Sequence, residues 1–170
     1  VTITTTPSSL TVTPLTASVC AGSSVTLNAT GGDIDKAMVF GTQANMNTAS
    51  TGTIGYPAPY TAYYGGQRMQ MLVLASELTA AGFVVNSPLM NIQFPVVSRG
   101  ANWGASITSN QNFQVSVGTT TLTNITSFQS GLTNVVTPMN FTPMVGYNNT
   151  HTFASPFIWD GTSNVIVETT

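Results

Sequence analysis

Charge is what this sequence has least of. Its 170 residues include three Lys or Arg and five Asp or Glu, so 5% of the side chains are charged and the net charge is −2. Ordinary globular domains are about 25% charged. The basic residues are Lys36, Arg68 and Arg99, which are too few to form the cationic surface that a phosphate backbone requires. We therefore expect no nucleic-acid partner.

Cysteine, histidine and long apolar runs are also scarce. Cys20 is the only cysteine and His151 the only histidine, so the chain can form neither an intrachain disulfide nor a structural zinc site, which takes four Cys or His ligands. The longest apolar runs, near 69–75 and 83–85, fall well short of the roughly 20 residues that a membrane-spanning helix needs. We expect no membrane insertion.

Small uncharged polar residues are abundant instead. The chain has 29 Thr, 16 Ser and 14 Asn, about a third of all positions, beside a hydrophobic content of 42%. Disordered chains carry far less apolar surface, so we expect a real core under a surface of hydroxyls and amides. Such a surface is typical of an extracellular or cell-surface protein. Four N-x-S/T sequons make candidate glycosylation sites of Asn28, Asn124, Asn140 and Asn148.

The first part of the chain, 1–32, carries no charged residue. Apolar residues alternate with Thr or Ser near 1–4, 10–13 and 24–28, and this period of two predicts two or three half-buried strands. So few strands are marginal alone. We therefore expect segment 1–32 to dock on the rest of the chain or on another molecule, with four candidate subunit contacts: Val1, Ile3, Leu10 and Val12.

The second part, 33–170, predicts a strand-rich domain. Strands are expected near 67–74, 89–97, 113–117, 133–137, 150–153, 157–159 and 165–169, separated by Gly and Pro. One helical turn is expected at 76–82, with Ser76 as its cap, Glu77 at its positive end and Gly82 as its stop. Many short strands and one helical turn predict an all-β, antiparallel sandwich of jelly-roll or Ig-like type.

Catalysis has little support in the sequence. A Ser-His-Asp arrangement would have to use His151 and Asp160, and no G-x-S-x-G context is present. Cys20 has no neighbouring His or basic residue that would lower its pKa. We predict that the protein is not an enzyme, and a hydrolase dependent on His151 is the alternative to be tested.

The run 160–164, DGTSN, permits two interpretations. Asp160 and Asn164 could contribute oxygen ligands to calcium, as could Asp33 and Asp35. Calcium takes 6–8 oxygen ligands, usually with more than one carboxylate. An Asx-type turn needs only one Asp followed by a Gly and hydroxyl residues. We favour the turn and expect no cofactor, with calcium as the alternative.

Aromatic residues fall into two groups. One group lies in Gly- and Pro-rich surroundings typical of loops, where the rings could stack on glycans or anchor a protein interface: Tyr56, Tyr60, Tyr63, Tyr64 and Trp103. The other group lies in strand patterns and is predicted to belong to the core: Phe94, Phe153, Phe157 and Trp159.

Several runs from about residue 40 onward resemble a domain of large secreted surface and adhesin proteins of Bacteroidetes-type bacteria. They are Tyr56-Pro57, 67–72 (QRMQML), 75–82 (ASELTAAG), 128–132 (FQSGL) and above all 152–168 (TFASPFIWDGTSNVIVE). The resemblance implies a jelly-roll-like sandwich without an established catalytic role. The run 19–27 (VCAGSSVTL) is similar to the first strands of Ig-like modules, which implies a partial Ig-like segment.

Two departures from these patterns suggest a function. The Ig-like segment lacks the tryptophan strand and second cysteine of a complete module, and the sandwich stops at 168–170, where the family usually continues. Surplus strands could complete the sandwich internally, or 1–13 could be lent to a neighbour by β-strand addition. Truncation of the chain is the competing explanation. Head-to-tail lending that does not close makes a filament. We expect a secreted, non-enzymatic homopolymer subunit of a fibre or surface layer. The alternative is a carbohydrate-binding or adhesion module of a larger surface protein.

Overall fold

The computed structural model describes residues 2–4, 11–16, 24–26, 28–30, 37–39, 58–60, 67–96 and 109–170. These residues form ten strands and one helix: β1 Thr2–Thr4, β2 Thr11–Thr13, β3 Asn28–Thr30, β4 Ala37–Val39, β5 Met69–Val73, α1 Ala75–Ala80, β6 Pro88–Val96, β7 Asn110–Thr120, β8 Thr133–Phe141, β9 Tyr147–Ile158 and β10 Asn164–Thr169. The fold is all-β, with antiparallel sheets and one short helix, as the sequence predicts.

The chain divides into two compact units. One comprises Val1–Thr5 together with Lys36–Thr170, and the other comprises Thr6–Asp35. The smaller unit contains the β2–β3 pair, in which Thr11 stands opposite Thr30 and Val12 opposite Ala29. Residues 24–26, predicted as part of a strand, are not in one, and β3 begins at Asn28 instead. The expected boundary between 1–32 and 33–170 remains a prediction.

The first sheet of the larger unit has the order β4-β1-β6-β9, and all its pairs are antiparallel. Strand β1 lies between β4 and β6, so that Ile3 stands opposite both Met38 and Ile92. Strand β9 continues the sheet beyond β6, with a bulge between Leu89 and Asn91. The strands predicted at 150–153 and 157–159 are therefore parts of a single strand.

The second sheet has the order β5-β10-β7-β8 and is also antiparallel. Strand β10 runs between β5 and β7, where Val167 stands opposite both Met71 and Val117. The pairing continues past the end of β10, since Thr170 and Gln114 exchange two backbone hydrogen bonds. The prediction of strands in these parts of the chain is confirmed.

The core lies between the two sheets. Strand β6 contributes Ile92 and Phe94, and their relative exposures are 0% and 2%. The opposing sheet contributes alternate residues of β7 and β10: Phe113, Val115, Val117, Val165 and Val167. Burial of each such side chain stabilises the fold by about 1.5–3 kcal/mol. Predicted core membership is confirmed for Phe94, Phe153 and Trp159, and Phe157 packs against the same cluster while partly exposed.

Helix α1 begins one residue earlier than expected. Leu74 is its N-cap, and the Leu74 amide donates to Glu77 Oε2 at 2.8 Å. The prediction that Ser76 caps the helix is therefore wrong, because Ser76 lies inside the first turn; the first-turn position of Glu77 and the positive φ of Gly82 (87°) follow expectation. Across the part of the chain that the structure describes, no helix is long and apolar enough to cross a membrane.

The connection between β7 and β8, residues 121–132, lies over the outer face of the second sheet. The Gln70 side chain donates to the Gln129 carbonyl and accepts from the Gln129 amide, both at 2.8 Å. A Cβ on Gly118 would lie 2.6 Å from the Leu132 side chain, so Leu132 packs directly on that glycine. Ile166, opposite Gly118 in the register, is 1% exposed although it points away from the inner face.

Candidate functional site

Tyr60 and His151 form a polar pair inside the sandwich. The Tyr60 hydroxyl lies 2.6 Å from His151 Nε2. Phe94 comes from the first sheet, whereas Phe113 and Phe141 come from the second, and all three rings lie within 6.1 Å of the His151 ring, centroid to centroid. Tyr60 contacts the same three rings at 5.3–5.8 Å. The phenol therefore reaches between the sheets and ends on the imidazole.

Burial sets the protonation of this pair. Desolvation lowers the pKa of His151 from its ordinary 6.5 to about 4, and it raises the pKa of Tyr60 above its ordinary value. Both side chains are therefore uncharged near neutral pH. A neutral imidazole accepts through one ring nitrogen, so the protonated phenol donates its hydrogen to Nε2.

This geometry changes the interpretation of Tyr60. The sequence predicts an exposed loop ring that could stack on a glycan. Instead, Tyr60 is partly buried, packs against the core and directs its hydroxyl at His151. Tyr60 is therefore an internal anchor for residues 58–60, and its role in ligand binding remains a prediction. Tyr56, Tyr63, Tyr64 and Trp103 lie outside the described residues.

The two residues of the hydrolase alternative make separate contacts. His151 is 3% exposed and bonds to Tyr60. Asp160 is exposed, and its Oδ1 accepts from the amides of Thr162 at 2.9 Å and Ser163 at 2.7 Å. The hydrogen bond of His151 does not include Asp160, and the hydrogen bonds of Asp160 do not include His151. The absence of enzymatic activity remains a prediction.

Asp160 closes an Asx-type turn. Hydrogen bonds from Ser163, first its hydroxyl and then its amide, and from Thr162 lower the pKa of Asp160 to about 2. Gly161 follows with φ of +83°, and a Cβ at this position would lie 2.9 Å from the Val85 Cα. The turn therefore needs glycine both for its backbone conformation and for its close approach to Val85.

The neighbouring Trp159 and Asn164 are also used in internal bonds. The indole of Trp159, which is 0% exposed, donates to the Ser163 carbonyl at 2.8 Å. Asn164 Oδ1 accepts from the Ala75 amide at 2.7 Å, and its Nδ2 donates to the Leu122 carbonyl at 2.8 Å. The oxygen that calcium would need from Asn164 thus serves the start of α1. The run 159–164 is accounted for as a structural turn.

The expected absence of a cofactor, calcium included, remains a prediction. The described residues contain no group of three or more His, Cys, Asp or Glu side chains that could hold a metal ion. Asp33 and Asp35, the other acidic pair of the sequence, lie outside them, as does Cys20.

A charged surface cluster lies on the outer face of the second sheet. Arg68 Nε donates to Glu168 Oε2 at 2.7 Å, and the Arg68 guanidinium lies 4.6 Å from the centroid of the Phe128 ring. Gln70 also donates to Glu168 Oε2, at 2.6 Å. Arg68 and Phe128 are both exposed, so the ion pair contributes under about 1 kcal/mol. The contact of Arg68 with Phe128 and the hydrogen bonds of Gln70 with Gln129 join the 121–132 connection to this face of the sheet.

Strand β1 is the candidate interface between copies of this chain, because of the way it pairs in the first sheet. Its three residues pair with β4 on one side and with β6 on the other, at Thr2–Val39 and Thr2–Gln93 among other positions. Residues 6–35, which follow β1 directly in sequence, belong to the other compact unit. Strand β1 therefore pairs with β4 and β6 in the first sheet, although residues 6–35, which lie between β1 and β4 along the chain, group separately.

The structure describes two of the four predicted subunit contacts and all four predicted glycosylation sites. Ile3 lies in β1 and Val12 in β2, in different units, whereas Val1 and Leu10 lie outside the described residues. All four sequon asparagines have exposed side chains: Asn28 in β3, Asn124 in the 121–132 connection, Asn140 in β8 and Asn148 in β9. The sequons are thus accessible to modification, and glycosylation remains a prediction.

Comparison with known proteins finds no match: no family model, no curated protein and no solved structure is similar to this chain. The resemblance to surface and adhesin domains therefore remains a hypothesis, and the function must be argued from the geometry.

The sequence carries a signal for the position of His151 in the alternation of residues along β9. Along β9 the buried residues are Asn149, His151 and Phe153, whereas Asn148, Thr150 and Thr152 are exposed. This alternation places the histidine on the inner face with Phe153. Its partner Tyr60 is 91 residues away in sequence, and no local pattern connects the two.

Proposed function

We propose that the protein is a secreted, non-enzymatic structural subunit whose copies associate by exchanging strand β1. The single observation that supports this proposal is the insertion of β1 between β4 and β6, while residues 6–35 group separately. A strand joined to its own sheet through such a segment can occupy the equivalent position in another copy with the same contacts. Exchange of an identical element between copies is a low-cost route to association.

An open sheet supplies the driving force. Without β1, the backbone groups of β4 and β6 that face it lose their ladder partners, and unpaired strand edges readily accept another strand. Ile92, opposite Ile3, is fully buried in the complete sheet. A copy that has lent its β1 therefore gains by accepting one, because the accepted strand restores the ladder pairing with both β4 and β6.

Exchange that runs head to tail without closing extends the assembly, whereas reciprocal exchange gives a closed dimer. The low charge of the chain supports packing of many copies, since eight charged side chains in 170 residues generate little repulsion between subunits. An extracellular or cell-surface location fits the polar, uncharged surface. A glycan-binding module is the weaker candidate, because Tyr60, one of its five predicted aromatic residues, is engaged in the core.

Truncation and complementation test this function. The complete chain and a variant lacking Val1–Thr5 are compared across concentrations by light scattering and electron microscopy. We expect polymers from the complete chain and none from the truncated one. A synthetic peptide of sequence VTITTT should bind the truncated chain, whereas the same peptide with Ile3→Pro should not, because proline lacks the ladder donor. A complete chain that stays monomeric, or a truncated chain that still polymerises, would contradict the proposal.

A further inference from the structure

Tyr60 is held between the two sheets by aromatic rings and by His151. Tyr60 belongs to the short described segment 58–60, and its ring lies against Phe113 of one sheet and Phe94 of the other, with centroid separations of 5.3 and 5.8 Å. Its hydroxyl makes a hydrogen bond with His151. Tyr60 therefore attaches the segment to the sandwich through its ring and its hydroxyl.

We propose that the Tyr60–His151 pair is an acid-sensitive latch, which holds residues 58–60 between the sheets while the imidazole is neutral and releases them when it is protonated. The latch does not rest on strand exchange.

Protonation of His151 removes the acceptor of the Tyr60 hydrogen bond. A neutral imidazole offers one ring nitrogen as an acceptor, whereas an imidazolium has two N–H donors and no acceptor. Protonation at Nε2 therefore places a donor 2.6 Å from a hydroxyl that is itself held protonated by burial. The phenol would have to turn its hydrogen away and accept instead, in a pocket whose other walls are phenyl rings.

A positive charge on the buried His151 imidazole also carries a free-energy cost. The groups packed around the imidazole are Tyr60 from the 58–60 segment, Phe94 from β6, Phe113 from β7 and Phe141 from β8. Among the described residues, Tyr60 is the only titratable group recorded against His151, and no carboxylate there compensates an imidazolium. A buried charge without a partner is strongly disfavoured. The cheapest relief is to open the wall that is not part of a strand, namely segment 58–60.

The position of His151 makes this local opening easier than global unfolding. His151 lies in the middle of β9, where it stands opposite Ile92 in a continuous antiparallel pair. The other three rings of the pocket likewise belong to strands β6, β7 and β8. Tyr60 is the one member outside a strand, so its release breaks no ladder hydrogen bond. Water then reaches the imidazolium, whose pKa in the closed state is about 4.

Hydrogen exchange measured by mass spectrometry at several pH values tests the latch. The wild type is compared with a His151→Gln variant, which keeps an acceptor for the phenol but does not titrate, at the same pH so that intrinsic exchange rates cancel. We expect the protection factor of peptides that contain Tyr60 to fall at least tenfold in the wild type between pH 6 and pH 3.5. In His151→Gln the protection factor of the same peptides should stay unchanged. Peptides covering β7 and β10 should stay protected in both proteins.

A second variant guards against a failure of His151→Gln to fold. The double substitution Tyr60→Phe with His151→Phe fills the pocket with phenyl rings only, and we expect its Tyr60-region protection to be independent of pH. The latch is overturned if the wild type keeps its protection around residue 60 at pH 3.5 while NMR shows that His151 is protonated. It is also overturned if either variant loses protection at the same pH as the wild type.

Discussion

Asn164 ties the Ala75 amide at the start of α1 to the strand-rich core. Its Oδ1 accepts from that amide at 2.7 Å, and its Nδ2 donates to the Leu122 carbonyl at 2.8 Å. One side chain at the beginning of β10 thus joins the helix and the 121–132 connection. Both of its polar ends are used for structure, although the sequence also permits a role as a metal ligand.

Removing this side chain should destabilise the fold. We expect Asn164→Ala to lower the free energy of unfolding by about 1–3 kcal/mol, because two backbone groups lose their partners. Asn124→Ala is the matched control, since Asn124 is exposed, and its effect should stay within about 0.5 kcal/mol. Urea denaturation measures both values. Equal stabilities of the two variants would show that the Asn164 bonds contribute nothing.

Gly161 offers a test of close packing at the Asp160 turn. We expect Gly161→Ala to cost more than Gly131→Ala, although the two glycines have similar φ values of +83° and +78°. A new Cβ at Gly161 would meet the Val85 backbone at 2.9 Å, whereas at Gly131 nothing lies within 4 Å. Left-handed strain alone costs about 1–2 kcal/mol. Thermal unfolding of both variants isolates the Val85 contact as their difference, and no difference would refute it.

The stability of the protein should depend on pH through His151. The unfolded histidine takes up its proton near pH 6.5, whereas the folded one does so only near pH 4. Between these values the unfolded state binds more protons, so the free energy of unfolding falls as pH decreases, by about 3 kcal/mol over the whole window. This contribution is complete above pH 6.5. Urea titrations at pH 7, 5.5 and 4 measure it, and His151→Gln should remove it.

Asp160 should act in a separate, lower window. Its folded pKa of about 2 lies below its ordinary value of 3.8, so it stabilises the fold above pH 3.8 and loses that effect as pH falls toward 2. The window should persist in His151→Gln and disappear in Asp160→Asn. A single transition common to all three proteins would show that neither group behaves as its contacts imply.

Calcium should leave the protein unchanged. Because Asp160 and Asn164 use their oxygens in internal bonds, we expect millimolar calcium or a chelator to leave the melting temperature unchanged, since only a ligand that binds the native state stabilises it. Differential scanning calorimetry with magnesium as the matched cation checks this. A rise that is specific to calcium would restore the calcium interpretation of the sequence.

Much of the fold could be predicted because its strands carry their own pattern. In β7 and β9 buried and exposed residues alternate over much of each strand, and Asp160 and Gly161 mark a turn by composition alone. The order of the strands could not be predicted in the same way. The placement of β1 between β4 and β6 depends on pairings between distant residues, such as Ile3 with Ile92, and these leave no local trace.

The same limit applies to the pocket. The flanking prolines made Tyr60 a loop residue in the sequence interpretation, and its burial depends on rings from β6, β7 and β8. His151 could have been placed on the inner face by alternation with Phe153. That its partner would be a tyrosine from 91 residues earlier could be learned only from the tertiary structure.

Disulfide trapping between two distinguishable copies tests strand exchange most directly. Thr2 and Gln93 are register partners in the β1–β6 pair, and opposed residues of antiparallel strands lie within disulfide reach. One copy carries Thr2→Cys, the other, isotope-labelled, carries Gln93→Cys, and both carry Cys20→Ser. As the control, Gln93→Cys is mixed with a copy carrying Thr150→Cys, the β9 partner of the same residue.

If β1 is exchanged, mild oxidation of the first mixture joins the two copies. The control mixture stays unjoined, because β6 and β9 remain in the same copy. A double variant with Thr2→Cys and Gln93→Cys in one chain shows whether the pair can form at all. If that chain closes its own disulfide at high concentration while the mixed copies never cross-link, β1 stays in its own sheet and strand exchange is contradicted.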